Sequence, residues 1–377
     1  MDRRHLIRSA AAACAASLAR PLLAEARSKW VLGQSAAFSG PSKELGEQFK
    51  IGAELCFGRV NARGGVAGRP IELRSLDDGY EPARCAANTR TLINEGVFAL
   101  FGYVGTPTSL AALPLATAAG LPFVAPVTGA EALRAPFSRN VFHVRASYFQ
   151  ETAEIVKHLT SVGVKRIAVF YQNDAYGMAG YDGVTQALAA LGLKPAAVGT
   201  VERNSLDVDA AVRSITRDQP EAIVQIGSYR ACAAFIGAAR RNGFLGAFYN
   251  VSFVGTKALA DELGAEAQGV VISQVMPYPF SQAKPIVSEY LAAAKLTHGT
   301  GFEPSYGSIE GYVAAKTLVE GLRRAGPNAT ADSLIAGLES MHDVDLGGYF
   351  VDFSAQKHVG SRFVDMTILD ARGKIRR

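Results

Sequence analysis

The sequence predicts an α/β protein made of two units, each built on a parallel sheet. Short apolar segments alternate with helical patterns from residue 30 to residue 101, and this βαβ rhythm is typical of parallel sheets. The same rhythm restarts at Lys165, so a second unit follows the first. The chain has 377 residues, which exceeds one ordinary core and suits two units of roughly 150 residues or slightly more.

The first unit is predicted to contain three strands and two helices. The strands are expected within WVLGQSAAF, PIELRSLDD and VFALFGY. The helices are expected over residues 44–61 and 81–95. Between the first helix and the second strand, the glycines of NARGGVAGRP predict a helix end and a turn.

The second unit begins with a similar order of elements. KRIAVFYQNDAYG predicts a strand, a polar turn and a helix, and further strands are expected within PAAVGTV, EAIVQIG and AFYNVSF. After GVVISQVMP, helices are expected over residues 286–295 and 308–324, the second with a buried face. That face comprises Tyr312, Ala315, Val319 and Leu322. Alternation over residues 347–375 predicts a β-hairpin.

The first 26 residues have the pattern of an export signal. Three arginines precede a short alanine-rich segment, and Ala24-Glu25-Ala26 provides small residues for cleavage. Arg3 and Arg4 resemble a twin-arginine signal, with the general secretory route as the alternative. We therefore expect a periplasmic protein that loses Cys14 with its signal.

Charge and cysteine content exclude several classes of function. The net charge is +5 and becomes +3 without residues 1–26, since 39 basic and 34 acidic residues fall to 35 and 32. The basic residues are scattered, so nucleic-acid binding is not expected. Cys56, Cys85 and Cys232 lack the spacing of a metal or redox site. Export permits one disulfide, but an odd number leaves a free thiol.

Catalytic signatures are not found in the sequence. It has no nucleophile elbow, no phosphate-binding loop and no dinucleotide fingerprint, and its histidines are scattered. Asp77 and Asp78 end a predicted strand, where acidic residues commonly stabilise a turn. We therefore expect neither an enzyme nor a cofactor or metal.

Four polar turns follow predicted strands, at residues 38–40, 102–109, 125–131 and 172–177. In open α/β sheets, ligands bind at the carboxyl ends of strands. The second and third turns place hydroxyls and backbone amides at helix starts, where an anion is favoured. These residues are Thr106, Thr108, Ser109, Thr128 and Gly129. The alternative for a single turn is simple helix capping by Thr108 or Ser109.

Several segments together resemble the leucine/isoleucine/valine-binding group of periplasmic solute-binding proteins, which serve ABC importers. They are AAFSGPSKELGEQFKIGAEL, VNARGGVAGRPIEL, DDGYEP, FGYVGTPTS, LPFVAPVTGAEALR, FHVRAS, RIAVFYQNDAYG and SIEGYVAAKTLVEGLRRAG. The resemblance implies the type I periplasmic binding protein fold, with two Rossmann-like lobes, a three-segment hinge and a ligand cleft between the lobes. The implied lobes are 27–145 with 277–345, and 146–276 with 346–377.

The resemblance also implies which residues line the cleft. Thr106 takes the position of the hydroxyl that contacts the ligand carboxylate, and the next turn contributes Val127, Thr128 and Gly129. The aromatic residue that closes over the ligand falls on Tyr176, and a second polar aromatic falls on Ser228 or Tyr229. Tyr103 and Tyr148 lie near the cleft by position.

This chain departs from the family at the acid that pairs with a substrate ammonium, because that position reads Ser252. An ammonium buried without a counter-charge would lose several kcal/mol. Either another acid such as Asp174 serves, or the ligand has no ammonium. The family's cysteine pair would fall near Tyr80 and Gly105 and is missing. The implied strand order 2-1-3 puts Cys56 and Cys85 on opposite faces of a sheet, so we expect no bond between them.

The function implied is that of a monomeric, non-enzymatic receptor that delivers a small carboxylate-bearing ligand to an ABC permease. The ligand is a branched-chain or other aliphatic amino acid, or an organic or aromatic acid without an amine. Two alternatives are an exported sensor of the same fold that reports to a regulator and an enzyme on a Rossmann-like scaffold.

Overall fold

The structure is a computed structural model that describes residues 29–377, so the signal predicted over residues 1–26 and Cys14 lie outside the described residues. The strands are β1 Trp30–Ala36, β2 Ile71–Asp77, β3 Ala99–Phe101, β4 Phe123–Val124, β5 Val141–Phe142, β6 Ile167–Gln172, β7 Val198–Val201, β8 Ala222–Ile226, β9 Ala247–Asn250, β10 Val271–Gln274, β11 Val344–Asp345, β12 Phe350–Val351, β13 Asp365–Leu369 and β14 Ile375–Arg376.

The α-helices pack on these strands. They are α1 Lys43–Asn61, α2 Pro82–Asn94, α3 Thr106–Ala118, α4 Tyr148–Ser161, α5 Ala175–Ala189, α6 Asp209–Arg217, α7 Tyr229–Arg241, α8 Thr256–Leu263, α9 Pro285–His298, α10 Tyr306–Ala325 and α11 Ala331–Glu339. Within residues 29–377, none has both the length and the apolar character needed to cross a bilayer.

The first sheet has the order β2-β1-β3-β4-β5, and all its neighbouring strands are parallel. The expected order 2-1-3 is therefore confirmed. Cys56 on α1 lies in the larger hydrophobic cluster and Cys85 on α2 in the smaller one. Together with Cys232 they are buried free thiols.

The second sheet has the order β14-β13-β10-β9-β8-β6-β7. Strands β6 to β10 are parallel, whereas β13 and β14 are antiparallel to their neighbours. The hairpin predicted over residues 347–375 is present as β13 and β14, although the preceding residues 352–364 lie outside it. The chain is thus a mixed α/β protein, as the sequence predicts.

The chain passes between the two sheets three times, because β1 to β5 are followed by β6 to β10, then by helices that return to α1, and finally by β13. The three passages lie side by side. The hydroxyl of Tyr349 in the third donates to the carbonyl of Val144 in the first, at 2.8 Å, and to that of Val275 in the second, at 3.3 Å. The exact lobe limits stay a prediction.

Helices α1 and α10 approach each other closely. A Cβ atom at Gly52 would lie 1.6 Å from the carbonyl oxygen of Ser308, and one at Gly311 would lie 1.9 Å from that of Phe49. Only glycine permits this distance between the two backbones. The contact fixes the start of α10 beside α1, at the edge of the space between the sheets.

Asp77 and Asp78 have structural roles, as interpreted from the sequence. Asp77 Oδ1 accepts the N–H of Phe38 at 2.8 Å, that of Ser39 at 3.1 Å and that of Gly79 at 2.9 Å. Partial burial would raise the pKa of Asp77, but the Ser39 hydroxyl, the N–H groups of Phe38 and Gly79 and the Arg84 guanidinium lower it to about 2. Asp78 accepts the Tyr80 N–H at 2.8 Å, and burial raises its pKa to about 6.

We expect Asp77→Ala to lower the free energy of unfolding by about 2–3 kcal/mol at pH 7, because three backbone donors lose a charged acceptor. The folded-state pKa of Asp77 is depressed, so its contribution is present above pH ~4 and is lost as the pH falls toward 2. Urea denaturation at pH 7 and pH 3 measures both effects. The exposed Asp182→Ala is the control, expected within about 0.5 kcal/mol of wild type; an equal loss in both variants would contradict the assignment.

Candidate ligand-binding site

The two hydroxyl-rich turns predicted at residues 102–109 and 125–131 are joined directly. The N–H of Gly105 donates to the carbonyl of Val127 at 3.1 Å, and the N–H of Val127 donates to that of Tyr103 at 2.7 Å. These bonds bring the buried hydroxyls of Thr106 and Thr128 within 2.6 Å of each other. The structure therefore unites the two turns on which the sequence places the carboxylate contact.

Helix α3 begins at Thr106 without a side-chain cap, since its N-cap residue is Gly105. The capping alternative for Thr108 or Ser109 is wrong. The Thr108 hydroxyl donates to the carbonyls of Val104 and Gly105, and the Ser109 hydroxyl has no partner among the described residues. The first amides of α3 thus lack the acceptor that a capping side chain would supply.

Tyr148 covers the second turn. Its N–H donates to the carbonyl of Gly129 at 2.7 Å, and a Cβ atom at Gly129 would lie 2.5 Å from its Cδ1 atom. Burial raises the pKa of Tyr148 to about 12, with Arg145 and the Thr128 hydroxyl acting in the opposite direction. The Tyr148 hydroxyl therefore remains protonated and can donate.

Four aromatic rings from both sides of the cleft form a buried cluster, made of Tyr80, Tyr148, Tyr176 and Phe253. Ring centroids are 5.4 Å apart for Tyr148 and Tyr176, 4.7 Å for Tyr176 and Phe253, and 6.2 Å for Tyr80 and Phe253. Tyr80 also packs on Gly105, where a Cβ atom would lie 2.2 Å from its Cε2 atom. The Tyr80 ring packed on Gly105 thus occupies the place where the resemblance would put a cysteine pair.

Arg145, in the first passage between the sheets, forms a buried network with Glu151 and Ser252. One guanidinium nitrogen, Nη2, donates to the Ser252 hydroxyl and lies 3.5 Å from Glu151 Oε1. The Ser252 N–H donates to Glu151 Oε2 at 2.7 Å, and its hydroxyl donates to Oε1 at 3.0 Å. Side-chain exposure is 2% for Arg145 and 0% for Glu151. The Ser252 position is therefore adjacent to a carboxylate that α4 supplies.

Glu310 from α10 is the second acid of this network. Its Oε1 lies 3.4 Å from Arg145 Nη1, and its side chain is 12% exposed. Burial raises the pKa of Glu310, and Arg145 opposes this. The two glutamates raise the pKa of Arg145 against the effect of burial, so its guanidinium stays charged. The Nε–H of Arg145 has no partner in residues 29–377.

A cavity of about 50 Å³ lies beside this network, between the two sides of the cleft. Its walls include Phe49, Val127, Arg145, Phe253 and Glu310. Residues from both sides of the cleft thus border one space beside the Arg145 guanidinium.

The remaining predicted residues lie in different places. Tyr103 lies in the smaller core cluster, its ring 5.0 Å from that of Phe123, and its hydroxyl accepts from Thr89 at 3.2 Å. Asp174 caps α5 by accepting the N–H groups of Tyr176 at 2.9 Å and Gly177 at 3.3 Å. Burial is the main cause that raises the pKa of Asp174. Of the predicted site residues, Val127 and Ser252 line the cavity. The others do not, and they are Tyr103, Thr106, Thr128, Gly129, Tyr148, Asp174, Tyr176, Ser228 and Tyr229.

Ser228 and Tyr229 lie at the start of α7, on the second side of the cleft. Tyr229 is buried, which raises the pKa of its phenol, and the backbone of Glu44 in α1 opposes this rise. Ser228 is the N-cap residue, and its side chain makes no cap bond.

Arg145, Glu151 and Glu310 were not identified as site residues from the sequence. Arg145 is the one residue of the crossing segment VFHVRA that is always charged, and that charge is the signal that could have marked it. Glu310 lies 165 positions after Arg145 (310 − 145 = 165), and no sequence spacing predicts that its carboxylate reaches the Arg145 guanidinium. In the described part of the chain, no group of three or more potential ligands could hold a metal ion.

We expect Gly129→Ala to destabilise the protein by about 1–3 kcal/mol, since the new methyl group would overlap the backbone nitrogen and the ring of Tyr148. Thermal unfolding with and without a bound ligand measures the effect. Gly58→Ala is the matched control, because this glycine lies in α1 with open space around it. Alanine there should be neutral or stabilising by up to about 1 kcal/mol; an unchanged Tm for Gly129→Ala would contradict the tight packing.

Comparison with known proteins gives a consistent result. The family model described as "Periplasmic binding protein" matches residues 29–374. An amino acid binding protein of Pseudomonas aeruginosa is 23% identical over 87% of each chain. The crystal structure of a possible leucine/isoleucine/valine-binding protein from Rhodopirellula baltica has a TM-score of 0.88 at 34% identity, covering 94% of this chain and 96% of that one. A substrate-binding periplasmic protein from Ralstonia solanacearum has a TM-score of 0.86 at 30% identity, covering 92% and 99%. The chain belongs to the periplasmic binding protein family, within the leucine/isoleucine/valine-binding group and with the type I fold.

Proposed function

We propose that this protein is the exported solute-binding receptor of an ABC importer and captures a small carboxylate-bearing solute by closing two lobes around it. The observation that carries the proposal is a buried polar and aromatic cleft to which both sides contribute. Thr106, Thr128 and Glu310 come from one side, and Tyr176 and Ser252 from the other. Such a site is completed only when the two sides meet, which is how a ligand shifts an open-closed equilibrium.

Contacts across the rim of the cleft support the same mechanism. Arg203 Nη2 lies 3.0 Å from Glu81 Oε2, and Asn204 donates to Glu81 Oε1 at 2.7 Å. At another point of the rim, Lys257 Nζ lies 2.9 Å from Glu303 Oε2. These pairs form only when the two sides are close, and they add modest stability to the closed form because each is partly exposed.

The lobes that we propose are residues 27–145 with 277–345 and residues 146–276 with 346–377. The proposed carboxylate contacts are the Thr106 and Thr128 hydroxyls, the amides at the start of α3, and Gly129 with the Tyr148 hydroxyl. Tyr176 and Tyr229 close the second side. Delivery of the solute to a permease, export through the signal in residues 1–26 and a monomeric state complete the proposal.

The proposal is tested by adding solutes to ligand-stripped protein and following both stability and shape. A solute that binds only the folded state raises Tm by mass action. We expect a raised Tm and a smaller radius of gyration in solution scattering with at least one member of a panel of aliphatic amino acids and organic acids. The bound solute should be recovered unchanged. Failure of the whole panel to raise Tm, or turnover of a bound compound, would contradict the proposal.

We expect Glu81→Ala to weaken solute binding by about twofold to tenfold, since closure then lacks the contacts with Arg203 and Asn204. Most of this change should appear as faster dissociation, because a bound solute leaves when the cleft opens. Stopped-flow fluorescence measures both rate constants. Glu95→Ala is the control, because Glu95 pairs with Arg74 on the same side of the cleft. Equal dissociation rates for the two variants would refute the role of the rim contacts.

A further inference from the structure

We infer that the solute is an organic acid without an ammonium group and that the guanidinium of Arg145 supplies the charged contact to its carboxylate, to which the proposed function assigns only hydroxyls and amides. This inference rests on the proposed function and adds the chemical class of the solute to it. Its starting point is Ser252, the position at which the resemblance expects an acid for a substrate ammonium.

Glu151 lies against Ser252 but cannot take over the role of that acid. Its Oε2 accepts from the Ser252 N–H at 2.7 Å and from the Ser273 hydroxyl at 2.6 Å. Its Oε1 accepts from the Ser252 hydroxyl at 3.0 Å and faces Arg145 at 3.5 Å. A carboxylate offers about four acceptor sites; hydrogen bonds use three of them, and Arg145 faces the remaining side of Oε1. An ammonium beside Glu151 would have to displace one of these donors.

The acids that do line the cavity offer little to an ammonium. Glu310 is mostly buried, burial raises its pKa, and Arg145 already faces its carboxylate. Glu44 lies in the first turn of α1, at a half-buried position, where the helix dipole already favours its negative charge.

Arg145 offers what a carboxylate requires. Its guanidinium is buried and charged, it lines the cavity, and its Nε–H lacks a partner among the described residues. A buried donor without an acceptor is costly, so an acceptor on the solute is favoured at this atom. The bond to a carboxylate is charge-assisted, and such bonds are the strong ones.

The other walls of the cavity define the rest of the solute. Phe49, Val127, Phe253 and Met276 present apolar surface beside Arg145. A hydrocarbon or aromatic body attached to the carboxylate would be buried against them, with a favourable free energy proportional to the apolar area removed from water. The complementary solute is thus a monocarboxylic acid with an aliphatic or aromatic body.

The test is a comparison of matched pairs by isothermal titration calorimetry on stripped full-length mature protein. 4-Methylpentanoate and L-leucine share a carbon skeleton and differ in the ammonium, as do 3-phenylpropanoate and L-phenylalanine. At least one acid is expected to bind about tenfold or more tightly than its amino-acid partner, since burying an unpaired ammonium is costly. Equal or tighter binding of the amino acids overturns this inference and leaves the proposed function intact. Binding of none of the four overturns the inference.

Two variants test the residues directly. Arg145→Met is expected to lower the affinity for the acid by about 10- to 100-fold, because the charge-assisted contact is lost. Arg139→Met is the control, since Arg139 is exposed and pairs with Asp332. An unchanged acid affinity in folded Arg145→Met, with wild-type circular dichroism, overturns the inference.

Glu310→Gln decides the question if Arg145→Met does not fold. It keeps the guanidinium and the shape of the side chain but removes the negative charge beside the solute. We expect the affinity for the acid to stay within about threefold of wild type or to rise, because a like charge no longer opposes the anion. A loss of about tenfold or more would mean that an ionised Glu310 supports the solute, as it would for an ammonium, and would overturn the inference.

Discussion

The buried guanidinium of Arg145 connects the parts of the molecule that form the cleft. It lies in the first passage between the sheets and reaches Glu151 on α4, Ser252 on the second side and Glu310 on α10. A charge removed from water in this way is tolerated only with partners on several sides, and removal of one partner typically leaves an uncompensated charge. This one side chain therefore links α10 to α4 and to the Ser252 segment on the second side.

The shape of the rest of the cleft depends on glycines that let backbones and aromatic rings approach each other closely. Glycines let α1 and α10 touch at Gly52 and Gly311, and let Tyr148 and Tyr80 lie on the two turns at Gly129 and Gly105. The rings of Tyr148 and Tyr80 thus occupy the space that a side chain at Gly129 or Gly105 would need. The result is a cleft that is mostly aromatic at its centre and charged at one end, where Arg145 pairs with two glutamates, with further ion pairs at its partly exposed rim.

Most of the fold could be predicted because local sequence patterns determine most of its helices, strands and turns. Apolar strands, helical periodicity and glycine turns gave the order of elements, and α1 and β1 begin within one residue of their expected positions. The joined turns at Thr106 and Thr128 also follow from local sequence, because parallel strands end at one edge of a sheet. Tyr103 was expected near the cleft from its place in that turn, yet its ring lies in the smaller core, since side-chain direction along a strand end is set by packing.

The Arg145 network could not be derived in the same way. Its members are brought together by the passages between the sheets, so their spacing in the sequence carries no periodic signal. The resemblance assigned an acid to position 252, but it could not reveal that Glu151 from α4 lies against Ser252 and accepts three hydrogen bonds there. Tertiary contact between distant segments, and not local propensity, sets the chemistry at this end of the cleft.

The most direct test of solute capture is a distance measured across the cleft. Spin labels on Ala87→Cys in α2 and Ala210→Cys in α6 occupy exposed positions on opposite sides, and the three cysteines of residues 29–377 are buried. Pulsed electron-electron double resonance without and with a solute that raises Tm should give a broad or longer distribution that becomes shorter and narrower on binding. An identical distribution in the two states, with the solute bound, would contradict capture by closure.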